Sequence, residues 1–198
     1  MPVVSLTTLA TAIAVFLSAF TQGVAGFGFS IVFTPFLLLL FEPRTVVIFN
    51  LVLPTFLNAL IVVQERKHLA LKAIIPLSIA SLVGIPIGTY ILLLISADAL
   101  LVLISLTLIT FSILMLLGYQ HTFKRERLGS VIAGLVSGVL KTSTGMSGPP
   151  VALFLVHQGW QRDALRATVG AYFLLINVLG LVSFLVGCVT GTSTFGYI

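Results

Sequence analysis

The chain has 198 residues, 59% of them apolar and 8% charged, with ten Lys and Arg against five Asp and Glu, and a mean hydropathy of +1.22. Soluble domains carry about a quarter of their residues as charge, so this composition excludes a disordered chain, a cytosolic enzyme and a nucleic-acid binder, and assigns the chain to a bilayer. The net charge of +5 then reads as topology, because basic residues mark the cytoplasmic side of a membrane protein.

In chain order, the first uncharged run covers residues 1–41. As one helix it would measure about 60 Å against a hydrocarbon core of about 30 Å, so it has to break. The break is expected in residues 22–30, QGVAGFGFS, where Gly23, Gly26 and Gly28 disfavour regular helix and a second apolar piece, residues 31–41, follows. Residues 1–20 do not read as a cleaved signal peptide, since no Lys or Arg precedes the apolar stretch and no polar region succeeds it. At this level the broken segment can either re-enter or span.

Residues 45–63, 69–95 and 99–118 read as continuous spans, with Pro54 expected to kink the first and Pro76 and Pro86 the second. A basic loop, residues 119–128, separates a first transmembrane half, residues 1–118, from a second, residues 129–198. The broken design recurs there: KTSTGMSGPP, residues 141–150, parts apolar residues 130–140 from 151–156, and residues 164–187 form a further span.

The two halves are related. An offset of about 115 residues pairs Gly23 with Gly138, Val24 with Val139 and Pro35 with Pro150, and one of about 118 pairs Arg44 with Arg162. Such a duplication is a transporter device, with sites built from discontinuous helices where the repeats meet. If each broken segment returns to the side it came from, Arg66, Lys67, Lys72, Lys124, Arg125, Arg127, Arg162 and Arg166 share one side and only Arg44 among the loop bases lies opposite. That is the arrangement the positive-inside rule prefers. The expected fold is therefore all-α: a polytopic helical membrane protein of two inverted repeats, each opening with a glycine-broken segment. The second repeat stops after its second element, so about 40 residues of an equal repeat are expected to be missing. The chain then reads as a shortened version of a longer protein or as a natural short form.

Chemistry is expected at the two breaks. Backbone freed inside a membrane persists only where protein buries it or a polar cavity meets it, and the N-terminus of a half-helix favours an anion. Thr142, Ser143, Thr144 and Ser147 supply hydroxyls, and Gly145 and Gly148 allow close approach to the backbone. Lys141 is the only charge in its segment, and a central Lys costs about 2.5 to 3.5 kcal/mol on insertion scales; it reads either as an anion ligand or as a side chain that snorkels to the interface. Gln22, Asn50, Asn58, Thr168, Tyr172 and Asn177 lie in otherwise apolar segments and either line a polar path or bond helix to helix. The pairs Gly84 with Gly88, Gly134 with Gly138 and Gly187 with Gly191 read as close helix packing. No carboxylate falls at membrane depth, so the usual Asp or Glu proton relay is absent, and His157, the one titrating group placed near the site, reads as interfacial. The lone Cys188 forms no internal disulfide, and no His or Cys spacing suggests a metal; neither metal nor cofactor is expected. No intramembrane Asp pair, Ser with a matched base or HExxH supports an enzyme.

At these residues the chain resembles the sulfite exporter TauE/SafE family, also called the toluene sulfonate uptake permease family. KTSTGMSGPPVALFL followed by GWQRDALRATVGAYFLLINVLGL carries the likeness, GMSGPP with the downstream RAT and a later Asn being its more specific part. AGFGFSIVFTP in the first half is a looser match, and the resemblance extends over essentially the whole chain. It implies a multi-pass carrier of the inner (plasma) membrane, basic loops cytoplasmic, for small sulfur-containing anions such as sulfite, sulfonates or sulfoacetate. Its motif falls on Gly26, Gly28 and Pro35, and on Gly145, Ser147, Gly148, Pro149 and Pro150, the three prolines as hinges. The family usually runs longer, and Lys141 is not part of its pattern.

The reading is a secondary anion carrier with alternating access around two broken helices. The substrate-binding candidates are Gln22, Gly26, Gly28, Asn50, Lys141, Thr142, Ser143, Thr144, Gly145, Ser147, Gly148 and Asn177. The sequence leaves the coupling ion open between proton and sodium, and a homo-oligomer is possible. The alternative is a non-transporting membrane interaction or assembly subunit whose glycine breaks serve packing alone.

Overall fold

The computed structural model describes residues 2–117, 126–156 and 162–189, and every regular element among them is a helix. In order these are α1 (Pro2–Ala25), α2 (Phe29–Leu38), α3 (Pro43–Gln64), a short 3-10 turn (Arg66–His68), α4 (Leu71–Leu94), α5 (Ala97–Leu116), α6 (Glu126–Thr144), α7 (Gly148–Val156) and α8 (Arg162–Val189). Five of them, α1, α3, α4, α5 and α8, are long and apolar enough to cross a membrane. The polytopic all-α fold expected from the sequence is thus present. Residues 118–125, His157 and the stretch from residue 190, where a longer second repeat would continue, lie outside the described residues.

Helix ends follow local chemistry. Pro43 opens α3 behind an extended Glu42, where its missing N–H is no loss. Ser96 caps α5, accepting the Ala99 N–H at 3.3 Å with Asp98 in the first turn, both favourable at a helix N-terminus. Pro54, Pro76 and Pro86 lie inside helices that run on past them.

Both breaks form, each at a left-handed glycine. Gly26 (φ 83°) follows α1 and Gly145 (φ 77°) follows α6, and each closes its helix by donating its N–H four residues back, Gly26 to Gln22 O at 2.7 Å and Gly145 to Lys141 O at 3.0 Å. The second break is narrower than residues 141–150. α6 absorbs Thr142, Ser143 and Thr144 because each hydroxyl donates to the carbonyl one turn back, Gly138, Val139 and Leu140 respectively. Pro35 is inside α2, so it is no hinge between elements; the chain turns at Gly26 and Gly28. Pro149 and Pro150 stand in the first turn of α7.

The element starts and ends share an offset other than those matched in the sequence. Ala25 and Thr144 end α1 and α6, Phe29 and Gly148 begin α2 and α7, and Pro43 and Arg162 begin α3 and α8, all at an offset of 119 rather than 115 or 118. The offset of 115 matched glycines with different jobs. A Cβ on Gly138 would lie 2.6 Å from Ser81 O in α4, whereas one on Gly23 would meet nothing within 4 Å.

Sidedness follows from contacts between the halves. Arg166 Nη1 lies 3.8 Å from Glu65 Oε1, and the Ala70 N–H reaches Thr168 Oγ1 at 3.3 Å, so α8 starts at the end where α3 finishes. A Cβ on Gly180 would approach Leu51, so the two helices run antiparallel. Gly134 faces Leu77 and Gly88 faces Thr142, so α6 runs parallel to α4 and starts at the end where α8 begins; the α6–α7 segment therefore returns to its own side. Arg66, Lys67, Lys72 and Arg166 share that end. At the other, Arg44 Nη2 donates to Ile95 O at 2.9 Å. Ala14, Leu37 and Val46 join one cluster, which brings α2 back to the start of α3.

Packing inverts the soluble pattern. Phe16, Phe20, Phe56 and Leu106 are more than half exposed, while Gln22, Asn50, Asn58 and Asn177 are buried. That distribution suits a lipid exterior and a polar interior. α4 and α6 pack closely: a Cβ on Gly84, Gly88, Gly134 or Gly138 would run into backbone of the facing helix, the packing expected of the first two glycine pairs. The third lies partly outside the described residues.

Candidate functional site

Between the two breaks lies a small cavity with several polar residues in its lining. Gln22, Gly28, Phe29, Ser30, Ile31, Pro54 and Asn58 line it from the first half, and Lys141, Ser147, Gly148, Phe173 and Asn177 from the second. Ten of these twelve form five pairs at the 119-residue offset: Gln22 with Lys141, Gly28 with Ser147, Phe29 with Gly148, Pro54 with Phe173, and Asn58 with Asn177. The halves thus present matching positions to one space. Ser30 Oγ ties them directly by donating to Gly145 O at 2.8 Å.

The lining is rich in donors. Gln22 Nε2 donates to Asn58 Oδ1 at 2.6 Å, which aligns the Asn58 amide and leaves its Nδ2 without a protein partner; both amide atoms of Asn177 are likewise unpartnered. Buried polar atoms are rarely left so, and both residues belong to the cavity lining. Lys141 is 3% exposed, and its ammonium donates to Asn50 O at 2.8 Å and, more weakly, to Gly145 O at 3.4 Å. It does not snorkel. Two acceptors leave one of its three N–H groups for a ligand.

The two half-helices contribute unequally. A helix leaves its first N–H groups unpaired; at α2 these belong to Gly28, Phe29, Ser30 and Ile31, all in the lining, and the next, from Val32, already bonds Gly28 O at 3.2 Å. At α7 the corresponding residues are Ser147, Gly148, Pro149 and Pro150, and the two prolines have no N–H to give. The first half therefore offers more backbone donors, and the second supplies the cation.

Of the residues expected at a site, Gln22, Gly28, Lys141, Ser147, Gly148 and Asn177 meet in this cavity. The others stand around it. Gly26 packs on Arg166 and Gly145 on Asn50. Asn50 donates to Thr34 Oγ1 and Val46 O. Thr142 also donates to Ile85 O at 2.9 Å in the α4–α6 contact, while Ser143 and Thr144 spend their hydroxyl protons on their own helix. Tyr172 Oη meets Ser81 Oγ at 2.6 Å away from the lining. The sequence offers Asn58 only as a polar-path or packing residue, not as a substrate-binding candidate, and does not single out Ser30. The Asn58–Asn177 match at the 119-residue offset is the sequence signal that finds the first.

The family model for Sulfite exporter TauE/SafE matches residues 11–198 of the chain. No curated protein and no solved structure matches it.

Proposed function

We propose that this chain, which belongs to the Sulfite exporter TauE/SafE family, carries a small sulfur-containing oxyanion through the cavity between its two broken helices. Membership makes it a multi-pass membrane protein of an anion-transporter family. The substrate and the mechanism are our reading. The observation that carries it is the cavity lined by five repeat-equivalent pairs, holding one cation, unpartnered Asn58 and Asn177 donors and the first turn of α2, with no carboxylate in the lining. Donors fixed in a space of low dielectric suit an anion.

In this reading Lys141 supplies the charge, while Asn58, Asn177 and the α2 amides position the oxygens. Gln22, Ser147, Gly148 and Gly28 complete the contacts. The two halves are inverted repeats, and rocking of one against the other opens the cavity to each side in turn. Uptake of radiolabelled sulfite or a sulfonate into proteoliposomes tests the proposal. Protein-dependent flux that saturates is expected, and equal flux with and without protein returns the chain to the reading of a non-transporting membrane subunit.

A further inference from the structure

Among the described residues, the cavity lining holds one basic side chain and no carboxylate. Among the described residues, the Lys141 ammonium meets the carbonyls of Asn50 and Gly145, and it belongs to neither the His68–Glu65 nor the Arg166–Glu65 pair. The charged and titratable groups on the elements around it lie elsewhere. On α3, Arg44 bonds Ile95 O. On α4, Lys72 and Tyr90 are exposed, as are Asp98 on α5 and Asp163 on α8. Arg166 of α8 sits beside Glu65, and the Tyr172 hydroxyl meets Ser81. Arg162 and Cys188 belong to the ends of α8, and Glu126 and Arg127 to the start of α6. α1, α2 and α7 carry no charged residue and no Tyr, His or Cys.

A buried lone cation is costly, and a single anion pairs it one for one. Resting on the transport reading above, we propose that Lys141 is the coupling group of the carrier: it binds one proton together with one anion and releases both together. The amine takes the proton from water on the loading side as the anion enters. On the other side the anion leaves and the ammonium returns its proton to water. The loaded site is an ammonium–anion pair and the empty site an uncharged amine, so neither state takes a net charge through the interior. A proton gradient can then drive the anion without any intramembrane carboxylate. By linkage, the anion strengthens proton binding by the same factor by which the proton strengthens anion binding.

Two measurements on the full chain test this, with methanesulfonate, whose charge is constant near neutral pH, and radiolabelled sulfite as probes. First, the purified protein in weak buffer with a pH indicator is expected to take up about one proton per methanesulfonate bound, the stoichiometry of a linked site; binding without proton uptake overturns the proposal. Second, in proteoliposomes at zero membrane potential, an inward gradient of one pH unit is expected to raise net methanesulfonate accumulation by up to about tenfold, the limit for one-to-one coupling. Exchange at equal pH is expected to ignore a protonophore. Lys141→Arg, a fixed cation, is expected to slow exchange and to abolish the response of net uptake to the gradient. Exchange by the unaltered protein with no gradient response, or a Lys141→Arg protein whose accumulation still follows the gradient, overturns the coupling role alone. Absence of protein-dependent exchange of either probe defeats the transport reading and the coupling role with it.

Discussion

Asn177 carries two polar atoms that find no partner although the residue is fully buried. Leaving a buried polar group unpaired costs about 1 to 3 kcal/mol, so its retention calls for a ligand. Asn177→Leu is expected to raise the thermal unfolding temperature of the detergent-purified protein while weakening anion binding; a structural Asn would give lower stability on the same change. Lys141→Met is expected to weaken sulfite or sulfonate binding about tenfold or more, in line with about 1.5 to 3 kcal/mol for a hydrogen bond to a charged group. Unaltered affinity in a titration would remove Lys141 from the site. At this scale the sequence was partly legible. Lys141, Gln22 and Asn177 stand out as polar residues in apolar runs. The hydroxyls of Thr142, Ser143 and Thr144 look equally suited to an anion, but helical backbone takes their protons, a competition visible only once the helix is known to continue.

Helix pairing is decided by the glycines of α4 and α6. A side chain on Gly138 would meet backbone, which cannot move aside as a flexible side chain can. Gly138→Leu is therefore expected to destabilise by more than the about 1 to 3 kcal/mol typical of overpacking. Gly23→Leu, facing open space, is expected to leave the thermal midpoint unaltered. The breaks give a second contrast. Gly145→Ala forces a side chain into a φ of 77° and against Asn50 Cβ at 2.7 Å, with the left-handed conformation alone worth about 1 to 2 kcal/mol. Gly148→Ala has no neighbour closer than 3.8 Å and is expected to unfold at the temperature of the unaltered protein. Both breaks could be read from glycine spacing and run length, but their register could not. Gly and Pro recur for packing as well as for turning, so matching letters at 115 residues hid the geometric match at 119.

For the molecule as a whole, the Arg166–Glu65 contact fixes which end of α8 meets which end of α3. A partly exposed pair of this length contributes about 0 to 1 kcal/mol, so it marks the arrangement more than it holds it. Its consequence is a labelling pattern. With Cys188 replaced by Ala, single cysteines at the exposed positions of Lys67 and Asp163 are expected to react with a membrane-impermeant thiol reagent from one side of a sealed vesicle. A cysteine at exposed Asp98 is expected to react from the other. Labelling of Asp163→Cys and Lys67→Cys from opposite sides would mean that the α6–α7 segment crosses the membrane.

The sequence by itself determined the solvent of this protein, the number and length of its apolar runs, the two glycine breaks and the gathering of basic residues at one end. Each of these is a local or compositional property, set by transfer of side chains into lipid and by backbone preferences along a few residues. Tertiary structure decided which polar residues share a space. Gln22, Asn58, Lys141 and Asn177 come together only because α3 and α8 run antiparallel and Ser30 reaches across to Gly145, contacts over more than a hundred residues that no local rule encodes. It also decided that the second half-helix, capped by two prolines, offers few N–H donors while Lys141 remains buried beside it. The candidate site is therefore a product of how the halves meet, and Lys141 has meaning for it only in that enclosure.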